Sequence, residues 1–295
     1  MATSPKSGGD WASLPRSNRE PRTALPQIIP ITDPDDPRIA DYRDVRERDL
    51  VGRQGLFIAE GEVVAKRLIA SPHHQTLSLL VAEKRVAALA DALHAFSEST
   101  PVYAASQDVM DAIVGFPIHR GILALGRQRA TPSAEGLLAD VSRTGPGERA
   151  LVVVLVGLAN HDNVGGVFRN AAAFGADAVV LDAECCDPLY RKAIRVSVGA
   201  TLLVPFARLP RGADPVEPLV AAGFEPIALT PDAATPLAEA PRPARVALLF
   251  GAEGPGLDAA VTDRCRTVRI EMTSGLDSLN VATASGIALH HFAFG

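Results

Sequence analysis

The chain has 295 residues, is 47% hydrophobic and carries a formal net charge of −5 at pH 7. This length predicts two domains of ordinary size, and the composition supplies enough apolar residues for a core in each. The negative balance excludes a broadly basic surface, so any nucleic-acid site must be a local patch of lysine and arginine.

The amino-terminal stretch, residues 1–26, is rich in proline, serine, glycine and charged residues, which is typical of a disordered tail. It lacks the apolar core of a secretory signal, and no run of about 18 apolar residues occurs anywhere. Three sparse cysteines, Cys185, Cys186 and Cys265, fit neither a disulfide framework nor a zinc site. We therefore expect a cytoplasmic protein without membrane segments or a bound metal.

Residues 27–128 predict a small α/β domain. A turn at residues 33–37 precedes an amphipathic helix that contains Ile39 and Tyr42 on its apolar side and arginines on the other. Strands and helices then alternate, with strands expected at 55–60, 78–83, 101–106 and 122–125 and helices at 61–69, 86–96 and 107–115. Residues 129–149 are interpreted as a linker.

Residues 150–295 predict a second α/β domain with a mostly parallel sheet. The run Leu151–Val156 is apolar without interruption, as a strand buried on both faces requires. Three loops rich in glycine, asparagine and serine follow buried strands, at residues 157–169, 250–258 and 272–280. One such loop is typical of a tight turn, but three at the carboxyl edge of one sheet favour a binding site. The phosphate-binding patterns G-x-G-x-x-G and G-x-x-x-x-G-K-[ST] are absent, which disfavours NAD and ATP.

Three sequence blocks carry a resemblance to a known family. They are Asn163 with Arg169 followed by AAAFGAD, then LLFGAEGPGL, then Ile270 to Met272 ending in SLNVATA. In this order and spacing they resemble the three motifs of the SpoU/TrmH-type RNA 2′-O-ribose methyltransferases of the SPOUT class. The resemblance covers about residues 151–295, and residues 31–62 resemble the amino-terminal substrate-binding domain that many members carry.

The resemblance implies a fold, a cofactor and a reaction. The fold is a carboxyl-terminal domain with a deep trefoil knot, and members of the family work as homodimers whose active sites draw on both chains. The cofactor is S-adenosylmethionine, held by main-chain atoms of Gly251, Ile270 and Leu279. The reaction is methylation of a ribose 2′-hydroxyl in transfer or ribosomal RNA.

The resemblance also assigns catalytic roles. Arg169 accepts the proton of the hydroxyl or activates its oxygen; because an arginine normally stays protonated, it could instead orient the hydroxyl and bind phosphate. Asn163 holds Arg169 or the nucleotide, and Glu253 anchors its loop or pairs with a basic group. Ser278 and Asn280 fix the third loop and reach the substrate, and the alternative for both is that they only cap the loop or the helix that follows.

Local clusters of basic residues are the candidate RNA contacts. One lies in the helix predicted at residues 187–195 and the other in the first helix of the amino-terminal domain; the residues are Arg191, Lys192, Arg195, Arg43, Arg46 and Arg53. For any one of them a solvated helix face is the simpler interpretation, but as a set they are the best phosphate contacts that the sequence offers.

Two other classes of protein remain compatible with the sequence. One is a non-catalytic RNA-binding or ribosome-assembly protein that keeps the fold without turnover. The other is a nucleotide-dependent enzyme of doubly wound α/β type, against which the missing glycine fingerprint argues. Binding of S-adenosylmethionine distinguishes the first of these from a methyltransferase.

Overall fold

A computed structural model describes residues 26–43, 55–94, 100–115, 117–143, 149–273 and 278–295. The strands are β1 Ile28–Ile31, β2 Leu56–Glu60, β3 His74–Ala82, β4 Val102–Ala105, β5 Ile122–Gln128, β6 Ala150–Leu155, β7 Ala178–Leu181, β8 Phe206–Arg208, β9 Glu225–Leu229, β10 Thr235–Pro236, β11 Arg245–Phe250 and β12 Arg266–Arg269. The α-helices are α1 Glu62–Ala70, α2 Ala90–Leu93, α3 Gln107–Val114, α4 Ala134–Ser142, α5 His161–Ala173, α6 Arg191–Val196, α7 Glu217–Ala221, α8 Ala259–Thr262 and α9 Val281–Phe294. Apart from Pro26, the tail predicted at residues 1–26 lies outside the described residues.

The chain divides into two compact units. We call the described residues up to Ala130 together with Leu189–Leu203 the amino-terminal unit, and the described residues of Thr131–Pro188 and Val204–Gly295 the carboxyl-terminal unit. This division differs from the sequence-based one in two stretches, the predicted linker and the segment Leu189–Leu203.

The amino-terminal unit is built on a mixed five-stranded sheet in the order β1-β4-β3-β5-β2, in which β5 runs antiparallel to its neighbours. The predicted α/β alternation is present, and β1 is an added edge strand that the sequence did not indicate. The amphipathic helix predicted after the turn is a short 3-10 helix over Pro37–Tyr42, which buries Ile39 and Tyr42. Residues 44–54, with Arg46 and Arg53, lie outside the described part of the chain.

The segment Leu189–Leu203 belongs to the amino-terminal unit although it follows β7 in sequence. Arg191 Nη2 donates to Glu60 Oε2 at 2.7 Å, and Arg67 Nη1 donates to the carbonyl of Val198 at 2.6 Å. Ser71 Oγ donates to the carbonyl of Leu202 at 2.6 Å. The sequence pattern could not predict this placement, because each of these bonds joins residues 131 positions apart.

The carboxyl-terminal unit is built on a seven-stranded sheet in the order β10-β12-β9-β11-β6-β7-β8, and all of its strand pairs are parallel. Every residue of β6 is buried, which explains the unbroken apolar run that the sequence shows. The predicted linker contains α4, whose Leu137 and Leu138 pack into the core of this unit. Ser133 caps α4 by accepting a hydrogen bond from the amide of Gly136 at 3.1 Å, a start signal that the turn-like composition of this stretch concealed.

Within the described residues, no helix is both long and apolar enough to cross a bilayer.

A buried histidine in the amino-terminal unit predicts an acid-sensitive fold. His74 is 3% exposed, and its ring meets the edge of Phe57 with centroids 5.2 Å apart. Its Nδ1 atom has no hydrogen-bond partner. Burial lowers the pKa of His74 from 6.5 to about 4, since the charged ring would lose its hydration.

The folded state therefore disfavours protonation of His74. The contribution of the neutral ring to the free energy of unfolding is fully present above the pKa of 6.5 in the unfolded chain, and it is lost as the pH falls from there toward about 4. We expect the free energy of unfolding to decrease by about 2 kcal/mol between about pH 7.5 and about pH 5 because of this residue. Urea unfolding of the wild type and of His74→Phe at both pH values measures the difference, which should shrink in the variant. His94→Gln, at an exposed position, should keep the wild-type dependence; an equal dependence in His74→Phe would contradict the assignment.

Candidate functional site

Side chains from the three glycine- and asparagine-rich loops meet at the carboxyl edge of the parallel sheet. Asn163 Nδ2 donates to Glu253 Oε1 at 2.6 Å. Asn280 Nδ2 donates to Asn163 Oδ1 at 2.9 Å and to Glu253 Oε1 at 3.3 Å. We call these three residues the amide–carboxylate cluster.

The parallel sheet explains why the first two loops meet. Strands β6 and β11 are neighbours in register, with Leu155 opposite Phe250 at their last residues. The loops that follow them therefore leave the same edge side by side. Asn163 enters α5 in its first turn and is only 4% exposed, so its amide points inward toward the loop of β11.

Asn280 performs two tasks with the two ends of one side chain. Its Oδ1 caps α9 by accepting from the amides of Ala282 at 2.9 Å and Thr283 at 3.4 Å. Its Nδ2 joins the cluster. The capping alternative and the site assignment are therefore both compatible with the geometry of Asn280.

The second loop folds back on itself so closely that only glycine fits at its start. A Cβ atom on Gly251 would overlap the backbone of Gly256 and Leu257. The amide of Gly256 donates to the carbonyl of Ala252 at 3.1 Å, and Gly254 between them has a φ of 89°. This tight turn carries Glu253 into reach of both asparagines.

Close packing of α5 against α9 brings the third loop to the other two. A Cβ atom on Gly166 would lie 2.6 Å from Cβ of Ala282, so glycine permits the approach. Asn170 Nδ2 donates to the carbonyl of Ala282 at 2.6 Å and to Ser285 Oγ at 2.9 Å. Asn163, Gly166 and Asn170 recur at three to four residues, so one face of α5 meets α9.

Arg169 lies outside the amide–carboxylate cluster. It is exposed on α5, and the six residues from Asn163 correspond to about 9 Å along the helix axis. Within the described ranges it makes no hydrogen bond or ion pair. Asn163 is thus bonded to Glu253 and Asn280 rather than to Arg169, and the guanidinium of Arg169 is open to solvent.

The remaining predicted site residues surround the loops. Ser278 is exposed and makes no hydrogen bond to another described residue, while Gly251, Ile270 and Leu279 are half-buried. Residues 274–277, between Ile270 and Leu279, lie outside the described part of the chain.

Two residues that the sequence analysis did not assign to the site, Asp182 and Cys185, support the first loop. Asp182 Oδ2 accepts from the amide of Gly157 at 2.9 Å, and Cys185 Sγ accepts from the amide of Leu158 at 3.3 Å. Cys185 Sγ also donates to the carbonyl of Leu155 at 3.3 Å, and burial raises the pKa of this thiol to about 12, so that it stays protonated. The position of Asp182 directly after the buried strand β7 was the available signal.

The predicted RNA contacts have different surroundings. Arg191 is paired with Glu60, and Arg43 Nη1 donates to Asp35 Oδ1 at 3.0 Å while its Nη2 donates to the carbonyls of Asp35 and Asp36. Lys192 and Arg195 are exposed on α6. Among the described residues, no group of three or more histidine, cysteine or acidic side chains could hold a metal ion.

Comparison with known proteins gives one family model and a set of relatives. The model of the SpoU rRNA Methylase family matches residues 150–290. A protein of Mycobacterium bovis named "uncharacterized tRNA/rRNA methyltransferase" is 44% identical over 269 residues, which cover 88% of this chain and 90% of that protein. The 23S rRNA (guanosine-2′-O-)-methyltransferase RlmB of Acinetobacter baylyi is 29% identical over 192 residues, 64% of this chain and 76% of the relative.

Among solved structures, the fold is similar to that of an AdoMet-bound rRNA methyltransferase from Sinorhizobium meliloti. The TM-score is 0.74 at 24% identity, and the match covers 90% of this chain and 97% of that one. The predicted α/β fold with a parallel sheet is therefore confirmed.

The amide–carboxylate cluster predicts a graded response at Glu253. Glu253→Ala removes the acceptor of two amides and leaves the buried Nδ2 of Asn163 without a partner. We expect a loss of about 1 to 2 kcal/mol in the free energy of unfolding, measured by urea denaturation. Glu253→Gln keeps an oxygen at the same position and should lose less than about 0.5 kcal/mol.

Glu239→Ala, at an exposed carboxylate elsewhere in the carboxyl-terminal unit, is the control and should be neutral. Equal stability of Glu253→Ala and Glu253→Gln would show that the cluster does not hold the loops together.

Proposed function

This chain belongs to the SpoU rRNA methylase family of RNA methyltransferases, and we propose that it transfers the methyl group of S-adenosylmethionine to a ribose 2′-hydroxyl of transfer or ribosomal RNA. The observation that carries the proposal is the amide–carboxylate cluster, which joins the three motif loops at the carboxyl edge of the parallel sheet. The name of the A. baylyi relative, a guanosine-2′-O-methyltransferase, supports the choice of the ribose oxygen.

We propose that the loops fixed by the cluster hold the donor through main-chain contacts from Gly251, Ile270 and Leu279, which are half-buried. Gly251 lies two residues before Glu253, and Leu279 directly precedes Asn280. The S. meliloti rRNA methyltransferase, which shares this fold, was solved with AdoMet bound, and this supports S-adenosylmethionine as the donor. When bound, S-adenosylmethionine supplies a methyl carbon attached to a sulfonium, which is open to in-line attack by an oxygen.

The residues of the chain then have separate tasks. Asn163, Glu253 and Asn280 hold the loops in one geometry before substrate arrives, which lowers the entropy that must be lost at the transition state. Arg169 contacts the reacting nucleotide: its exposed guanidinium carries a positive charge that can bind phosphate, orient the 2′-hydroxyl and stabilise the oxygen as its proton leaves. Ser278, an exposed residue near the end of the third loop, is proposed to contact the same nucleotide.

Two apolar side chains support the proposal of a homodimer. Ile287 and Phe294 are 41% and 62% exposed, and their spacing of seven places them on one side of α9. Phe294 also contacts the ring of Phe174, with centroids 6.3 Å apart. A second copy of the chain would cover this surface and bring its own residues to the site, as the family resemblance implies.

Other parts of the proposal extend the sequence analysis. The proposed RNA contacts are Arg43, Arg191, Lys192 and Arg195. Arg46 and Arg53 lie outside the described residues, so their role as RNA contacts stays a prediction. The trefoil knot and the cytoplasmic location stay predictions as well. The tight return of the second loop at Gly251 is compatible with such a knot.

Replacement of Arg169 tests the reaction. We expect Arg169→Ala to lower the rate of methyl transfer at least about 100-fold while S-adenosylmethionine affinity changes less than about twofold, because Arg169 acts on the acceptor oxygen. Transfer of a labelled methyl group to total RNA from cells lacking the gene measures the rate, and calorimetry measures cofactor binding. Arg211→Ala, at an exposed arginine paired with Glu184, is the control.

Turnover that survives in Arg169→Ala would remove Arg169 from the mechanism. Failure of the wild type to bind S-adenosylmethionine would instead favour the non-catalytic RNA-binding alternative.

Replacement of Ile287 tests the homodimer. A buried charge without a partner destabilises an apolar interface, so Ile287→Asp should shift sedimentation from twice the chain mass to the chain mass. Val220→Asp, on α7 at a position that is 56% exposed, should leave the wild-type mass unchanged. A monomeric wild type, or a dimeric Ile287→Asp, would contradict the proposed interface.

A further inference from the structure

A cleft of about 570 Å³ lies within the amino-terminal unit, between the loop that precedes β5 and the helix α6. Residues from both segments line it, and its charged and ionisable members are Glu60, His119, Arg120, Arg191, Lys192 and Arg195. Four of these side chains are cationic and one is a carboxylate. The overall charge of the chain is −5, so this concentration of positive charge is local.

The loop that carries Arg120 is held in place from below. Ile118 is 2% exposed, its amide donates to Asp111 Oδ1 at 2.9 Å, and its carbonyl accepts from Gln107 Nε2 at 3.0 Å. The aliphatic part of Arg120 lies against Gly61, where a Cβ atom would be 2.9 Å from Cδ of Arg120. The backbone on this side of the cleft is therefore fixed before any ligand binds.

The opposite wall is equally fixed. Ala193 and Ile194 of α6 are buried, and Arg191 donates from Nε at 3.1 Å and from Nη2 at 2.7 Å to Glu60 Oε2. This ion pair neutralises Arg191 and sets the orientation of α6. Arg195, one turn further along the helix, lines the same cleft and makes no ion pair with a described residue.

Of the four cationic side chains that line the cleft, Arg120 and Arg195 have no partner among the described residues. Both are exposed, and neither makes a hydrogen bond or ion pair with a residue that the structure describes. Two unpaired guanidinium groups that reach one concavity from separate chain segments indicate an anionic ligand.

We propose that this cleft binds a phosphodiester group of the RNA substrate, with Arg120 and Arg195 as its contacts and Glu60 as a positioning residue for Arg191. The planar guanidinium fork matches the geometry of phosphate oxygens, and the adjacent Tyr190 offers an aromatic surface for the neighbouring base. This inference rests on the proposed function, because it concerns how the same enzyme holds its RNA. It adds Arg120, which no sequence pattern indicated.

Binding of a fluorescein-labelled, mixed-sequence single-stranded oligoribonucleotide, followed by fluorescence anisotropy across a salt series, tests the proposal. Arg120→Ala and Arg195→Ala should each weaken binding about fivefold and lower the slope of log affinity against log salt by about 0.7. If both side chains contact one phosphate, the double variant should lose less than the product of the single losses. Arg127→Ala, at an exposed arginine near the far end of β5, is the matched control and should bind as the wild type does.

Thermal unfolding separates a binding role from a structural one. Arg195→Ala should keep the wild-type Tm, because Arg195 is exposed and makes no hydrogen bond or ion pair with a described residue. Glu60→Gln should weaken RNA binding, because the Glu60–Arg191 ion pair sets the orientation of α6 and therefore the position of Arg195. Wild-type affinity in this variant would overturn the positioning role.

The outcomes distinguish this inference from the proposed function. Wild-type protein that binds S-adenosylmethionine and transfers methyl groups, with RNA affinity unchanged in Arg120→Ala and Arg195→Ala, overturns the cleft and leaves the enzyme intact. Equal competition for the cleft by poly-glutamate and by the oligoribonucleotide would assign it to acidic polymers in general, and would overturn the RNA assignment. Loss of RNA affinity in both variants, with S-adenosylmethionine affinity unchanged, supports it.

Discussion

The three hydrogen bonds among Asn163, Glu253 and Asn280 join loops that are separated by 90 and 117 residues in sequence. A parallel sheet brings the first two loops to one edge, but it does not determine how they are held there. The hydrogen bonds hold the loops in one arrangement. Because Asn163 is buried, any other arrangement would leave its amide without hydrogen-bond partners, which costs free energy. The tight turn at Gly251 and the approach of α5 to α9 at Gly166 depend on the same geometry.

The functional groups are arranged around this fixed centre with different degrees of freedom. The cluster residues are bonded to each other, while Arg169 on the next turns of α5 is exposed and without a protein partner in the described part of the chain. In the amino-terminal unit the pattern repeats, because Arg191 is held by Glu60 whereas Arg120 and Arg195 remain open. In both places paired polar groups support a backbone, and the cations proposed to contact the substrate are exposed and make no hydrogen bond or ion pair with a described residue.

Local sequence signals predicted most of the strands and helices. The division of the chain into two units could not be predicted in full, because it depends on contacts between residues that are distant in sequence. The apolar run of β6, the glycine-rich loop after β11 and the small-residue helix α9 were each readable from composition and period. The convergence of the three loops followed from parallel strands and from the family resemblance. The helix α4 was not predicted, because its short amphipathic stretch lies among turn residues. The assignment of Leu189–Leu203 to the amino-terminal unit was not predicted either, because its partners Glu60, Arg67 and Ser71 are distant in sequence. Arg120 carries no local pattern at all; only the fold places it opposite α6.

The segment Leu189–Leu203 also affects the order in which the molecule can be completed on the ribosome. The amino-terminal unit receives Ala193, Ile194 and Leu202 for its interior, and these residues emerge only after β6, α5 and β7 have been translated. Vectorial folding therefore leaves the first unit with uncovered apolar surface while much of the second is already made. A fragment of residues 27–128 alone would lack Leu189–Leu203 and would expose the apolar surface that this segment covers. To fold completely, such a fragment would need the segment added as a separate peptide or joined to it by circular permutation.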